Sequence, residues 1–159
     1  MNQSLMVKFL TSRVQGWAAV ATTVVRVATG LLFVAISISK FSDRSKEVAD
    51  FHRFGVPMAG LAVTVVGSVE LICGTALVVG LLTRLAALLL ALDMIGAIAT
   101  AGRVVGGGIH LGLAPTLLIA MLFLLWAGPA LFSLDHRLLA RAPGSVTEST
   151  GPGADNLGN

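Results

Sequence analysis

The sequence predicts an all-α protein: a four-helix transmembrane bundle with a short amphipathic interfacial helix between its first and second spans. Three observations predict it. Apolar runs near residues 17–39, 58–82, 84–102 and 110–132 are each long enough to cross a bilayer, a crossing that takes roughly 20 apolar residues at about 1.5 Å rise each. The chain is 55% hydrophobic and only 12% charged, with a mean hydropathy of +0.89, whereas soluble domains average about 25% charged residues. Finally, three of the runs hold one ionisable residue near their middle, Arg26, Glu70 and Asp93, and the fourth holds none. A charge at the centre of a bilayer costs roughly 2.5–3.5 kcal/mol on insertion scales, so such residues turn toward the bundle interior and find partners there.

The elements follow in order. Lys8 and Arg13 precede an apolar stretch of 23 residues that Arg26 interrupts. That is longer than the roughly 7–15 residues of a signal-peptide core, so Trp17–Ser39 reads as a retained first span. Gly30, Phe33, Ser37 and Lys40 continue the helix face of Arg26. The connection Ser42–Pro57 holds Asp43, Arg44, Lys46, Glu47, Asp50 and Arg53, with Val48, Phe51 and Phe54 at every third position. Ser42 or Asp43 suits a helix cap, and Gly55 followed by Pro57 suits a stop, so this stretch reads as a short helix lying on the membrane. In the second span Gly60, Gly67 and Gly74 fall at heptad spacing, a seam along which a neighbouring helix can approach closely. Glu70 projects from that seam. The turn Gly80–Arg84 is so short that spans two and three must form an antiparallel hairpin. Gly96, Ala97 and Thr100 continue the face of Asp93 in span three. Pro115 is expected to bend the fourth span, which Gly128-Pro129 closes. Residues 1–141 thus form one membrane domain, and the Gly-, Ser-, Thr- and Pro-rich stretch 142–159 is expected to be disordered.

This organisation excludes much. Four spans leave no room for a Rossmann, P-loop or zinc-finger module, and Gly106-Gly107-Gly108 lacks the lysine of a phosphate-cradling loop. The net charge of +3 arises from Lys and Arg beside the spans, where they meet lipid headgroups rather than nucleic acid. Lys8, Arg13, Arg84, Arg137 and Arg141 fall on one side and Lys40, Arg44, Lys46, Arg53 and Arg103 on the other, a balance that sets no orientation. A single cysteine, Cys73, rules out an intrachain disulfide and reads as a small packing residue. His52, His110 and His136 sit at span edges without metal-ligand or bis-histidine haem spacing.

Two readings of Arg26, Glu70 and Asp93 follow. They form a buried ionic cluster that fixes helix partners and register, or they form a ligand site. One arginine cannot neutralise two carboxylates, so the surplus carboxyl is protonated, pairs with Lys40 or Arg84, or holds a cation. A protonated carboxyl in such a cluster suits proton relay or a hydrogen bond to a quinone carbonyl.

The chain resembles the DoxX family of small four-span bacterial membrane proteins. The resemblance rests on Arg26 and Gly30, Lys40-Phe41, Phe54-Gly55-Val56-Pro57, Glu70 with Gly74 and Gly80, the turn Leu82-Thr83-Arg84-Leu85-Ala86-Ala87, and Gly128-Pro129 with Ser133-Leu134-Asp135. It covers about residues 22–136. Cys73-Gly74 stands where the family often shows paired glycines, and Ser37 where a glycine is common; both replacements are small. The resemblance implies a multi-pass protein of the bacterial cytoplasmic (inner) membrane. It further implies a subunit that anchors or scaffolds an oxidoreductase complex, partnered by a redox enzyme or by copies of itself, without independent catalysis. The alternative is a subunit that binds a quinone or another lipophile through the buried cluster. No intrinsic cofactor or metal is expected. The candidate residues are Arg26, Glu70, Asp93, Lys40 and Arg84.

Overall fold

The computed structural model describes residues 14–104 and 112–128. No strand occurs among the described residues. The helices are α1 (Trp17–Ser42), α2 (Arg44–Arg53), α3 (Ala59–Val79), α4 (Thr83–Ala99), α5 (Ala101–Val104) and α6 (Ala114–Ala127). Three stretches are long and apolar enough to cross a membrane: α1, α3, and Thr83–Val104, in which α4 runs on into α5. A shorter apolar helix, α6, accompanies them. The glycine triplet 106–108, His110, His136, the end of the fourth run and the tail at 142–159 lie outside the described residues.

α1, α3, α4 and α6 alternate in direction, so the start of α1 and the end of α6 share one end of the bundle. The buried residues of α1, Ala19, Thr22, Arg26, Gly30, Phe33 and Ser37, recur every three or four positions and form one inward stripe. The opposite face presents Val24, Leu31 and Ile38 outward. Polarity is inverted relative to a soluble bundle. Thr22, Arg26, Ser37, Glu70 and Thr83 are buried, while Leu61, Ile72, Leu92 and Ile119 are exposed. Such an arrangement is stable only where the surroundings are themselves apolar, because lipid offers polar groups no partners. Threonine hydroxyls are satisfied within their own helices; Thr22 and Thr29 donate to the carbonyls of Ala18 and Val25 at 2.8 and 2.7 Å.

Glycines set the closest contact. A Cβ on Gly30 would lie 2.8 Å from the Gly74 carbonyl oxygen, and one on Gly74 would lie 3.0 Å from that of Gly30, so α1 and α3 touch backbone to backbone. Seven residues along each helix, the Ser37 hydroxyl donates to the Gly67 carbonyl at 2.6 Å. Gly67 and Gly74 form the expected seam. Gly60 does not, having nothing near a built Cβ; its carbonyl instead accepts from the Arg44 guanidinium at 3.1 Å.

α3 stops at Gly80, whose φ of 71° lets the amides of Gly80 and Leu81 turn back onto the carbonyls of Leu77 and Ala76. Leu82 follows in the left-handed region and starts α4, completing the antiparallel hairpin that so short a turn requires. Leu90 and Met94 of α4 pack with Leu117, Met121 and Leu124 of α6 in a core that Phe33 and Leu77 complete. Pro115 occupies the first turn of α6. An absent N–H costs nothing there, and residues 112–113 just ahead of α6 are π-helical, so the proline stands at a change of helix type.

After Ser42 the chain breaks at Asp43 and continues as α2, which ends at Gly55 with φ 73°, where the Val56 amide bonds to the Phe51 carbonyl. Asp43 holds the cap position without a side-chain cap bond. Arg44 ties the start of α2 to α3 by donating to the Thr64 hydroxyl at 2.8 Å.

Candidate functional site

At the end of the bundle where α1 finishes, the helices part around a cavity of about 670 Å³. Lys40 comes from the last turn of α1, Glu70 from the middle of α3 and Asp93 from α4. Phe51 of α2 and Phe54 just past its end line it, their rings tilted with centroids 6.2 Å apart. Beside Leu92, Asp93 and Met94, the wall from α4 to α5 includes Gly96, Ala97, Thr100 and Ala101. These small residues leave the room, and a Cβ on Gly96 would meet nothing within 4 Å.

Lys40 and Glu70 form the central ion pair. The ammonium donates to Glu70 Oε1 at 3.1 Å and lies 3.0 Å from Oε2. Glu70 is only 2% exposed, so its charge depends on that cation. Asp93 comes up against Glu70, carboxyl to carboxyl, with Lys40 near both. Asp93 Oδ2 is buried without a hydrogen-bond partner, whereas Glu70 Oε2 is held by the Lys40 ammonium. Two carboxyls in contact must either hold a proton between them or face donors from elsewhere. Because α3 and α4 run antiparallel through a short turn, Glu70 and Asp93 reach the same level, as the sequence suggests.

Arg26 does not share that level. It is 1% exposed, but it lies on the far side of the Gly30–Gly74 contact. α1 and α3 run antiparallel through that contact, so Arg26 stands beside the Val78 end of α3. At about 1.5 Å per residue it is roughly 12 Å from the level of Glu70. Lys40 therefore takes the place that midpoint counting gives to Arg26. Arg84 sits in the first turn of α4, half-buried at the opposite end of the bundle from the cavity. Sequence reasoning missed the role of α2 as the cavity's cover. The signal available was the spacing of Phe51 and Phe54, which reads equally well as a membrane-facing stripe. His52 is exposed on α2, and no group of three or more His, Cys, Asp and Glu that could hold a metal occurs among the described residues.

Fold and site together define a helical membrane protein with a ligand-sized, mostly apolar cavity and an ionic head at one end of its bundle. The DoxX family model matches residues 21–103, and the chain belongs to that family. It is 38% identical over 132 residues to an uncharacterized membrane protein of Mycobacterium tuberculosis, a match covering 74% of this chain and 81% of that one. It is also 36% identical over 81 residues to a Bacillus subtilis protein named "Putative oxidoreductase CatD", covering 51% of this chain and 59% of the relative. No solved structure matches.

Proposed function

We propose that this DoxX protein is a cytoplasmic-membrane subunit of a redox system that binds a small lipophilic ligand, a quinone in the first instance, in the Lys40–Glu70–Asp93 cavity. The cavity carries this reading. It has the volume of a small-molecule site, apolar and aromatic walls, and a few convergent polar groups at one end, the combination that recurs in ligand pockets. The buried charges sit where a head group would lie, and the wall of small residues leaves space for a ring. A second reading, that the chain anchors or scaffolds a partner oxidoreductase, shares its redox setting with the name of the Bacillus relative, which says nothing of anchoring. The two are compatible, since a lipophile held in the membrane serves a partner that exchanges electrons with it.

Mass spectrometry of lipids extracted from protein purified in native-membrane nanodiscs tests the proposal. A lipophile at one per protein, lost when Gly96→Leu fills the cavity, is the expected result. Protein that carries no such ligand, yet brings a soluble oxidoreductase with it, would leave only the anchoring reading.

A further inference from the structure

Resting on the reading of the cavity as a lipophile site, we infer that it selects ligands whose polar head donates hydrogen bonds, and so binds a hydroquinone in preference to the corresponding quinone. The inventory of polar atoms carries the argument. Asp93 Oδ2 is a buried acceptor without a hydrogen-bond partner, Asp93 and Glu70 both line the cavity, and both Glu70 oxygens are already held by the Lys40 ammonium. The other polar side chains described there do not supply what Asp93 Oδ2 lacks. Ser39 and Thr100 spend their hydroxyl protons on carbonyls of their own helices, those of Ile36 and Gly96, at 2.9 and 2.8 Å. Their remaining lone pairs add acceptors. Glu47 on α2 contributes another carboxylate. Among the described residues, the one cationic donor in the lining is Lys40, already turned onto Glu70.

A quinone brings only carbonyl oxygens to such a lining. One of them can take a spare Lys40 N–H, but nothing on the ring can donate to Asp93 Oδ2. A hydroquinone hydroxyl can accept from Lys40 and donate to Asp93 at once. A buried acceptor left without a donor is costly, whereas a hydrogen bond to a charged group is among the stronger ones. Phe51 and Phe54 suit an aromatic ring at that position. Asp93 is thus a specificity-determining residue: it makes the site read the oxidation state of its ligand.

The test is equilibrium binding of a decyl-tailed benzoquinone and its hydroquinone, under anaerobic conditions, to the full chain in nanodiscs, with empty nanodiscs subtracted. The two forms share a tail, so membrane partitioning largely cancels in their ratio. The hydroquinone should bind at least tenfold more tightly. For a two-electron couple that equals a rise of about 30 mV in the midpoint potential of the bound ligand. In Asp93→Asn, whose amide can donate to a carbonyl, the ratio should fall toward unity. Gly96→Leu should weaken both forms alike. Equal binding of the two forms by the wild-type protein would overturn the inference while leaving the lipophile site standing. So would a ratio unchanged in folded Asp93→Asn. If neither form binds and Gly96→Leu changes nothing, the reading of the cavity as a ligand site falls, and the inference with it. The wild-type ratio decides the question even if Asp93→Asn does not fold.

Discussion

Removing the ammonium of Lys40 leaves Glu70 as an uncompensated buried carboxylate beside a second one. Lys40→Met should therefore destabilise the bundle by about 3 kcal/mol, the usual consequence of breaking a buried pair from one side. This is measurable as a lower melting temperature in detergent. Adding Glu70→Gln should recover much of that loss, because the remaining partner no longer carries a charge, so the double variant should lose less than the sum of the singles. Arg26 gives the contrasting case. It lies beyond the Gly30–Gly74 contact from Glu70, so Arg26→Gln and Glu70→Gln should add within about 0.5 kcal/mol, as separated sites do. A large coupling between them would mean that α1 is set in a different register from the one described. The three mid-run charges were legible in the sequence as residues that must face inward. Which of them meet was not legible, because counting to the middle of a run gives depth only if every helix begins at the same level. α1 begins at Trp17 and runs on to Ser42, which carries Lys40, at the far edge of the run, to the carboxyl that a midpoint argument pairs with Arg26.

The glycines of α1 and α3 differ from the glycine of α4 in what surrounds them, and the difference is testable. A Cβ on Gly30 would sit 2.8 Å from a carbonyl oxygen of the facing backbone, which cannot swing aside. Gly30→Ala should therefore push α1 from α3 and cost about 1–3 kcal/mol, in the range of overpacked cores. Gly96→Ala has open space around it. It should leave stability unchanged or raise it by up to about 1 kcal/mol through helix propensity alone. Thermal melting of the two variants side by side checks both, and equal losses would contradict the described packing. At this scale the sequence was informative where spacing alone decides geometry. The heptad of glycines marked the helix seam, and the five-residue turn forced the hairpin. It misplaced Gly60, whose heptad spacing puts it in the same seam but whose neighbour at that level is the Arg44 side chain instead of a backbone. The phenylalanines of α2 were ambiguous for a physical reason: an apolar stripe on a short helix is equally satisfied by lipid or by the mouth of a cavity.

For the whole molecule, the inverted distribution of polarity predicts that the protein stays in the membrane pellet after alkaline carbonate washing; release into the supernatant would count against a bilayer-spanning fold. Alternation of helix direction puts the exposed Trp17 and Trp126 at the same end of the bundle, the end away from Lys40. Tryptophans favour the membrane–water boundary, so they mark one face of the bilayer. From Trp17, about 20 residues of α1 reach the opposite face, near Ser37 to Lys40. The lysine end of the ionic head therefore lies toward one face, with α2 between it and water, while the carboxyls reach toward the middle of α3 and α4. This placement has an electrical consequence. Lys40, near one face, experiences little of the voltage that falls across the hydrocarbon, so ligand exchange through that end should depend only weakly on membrane potential.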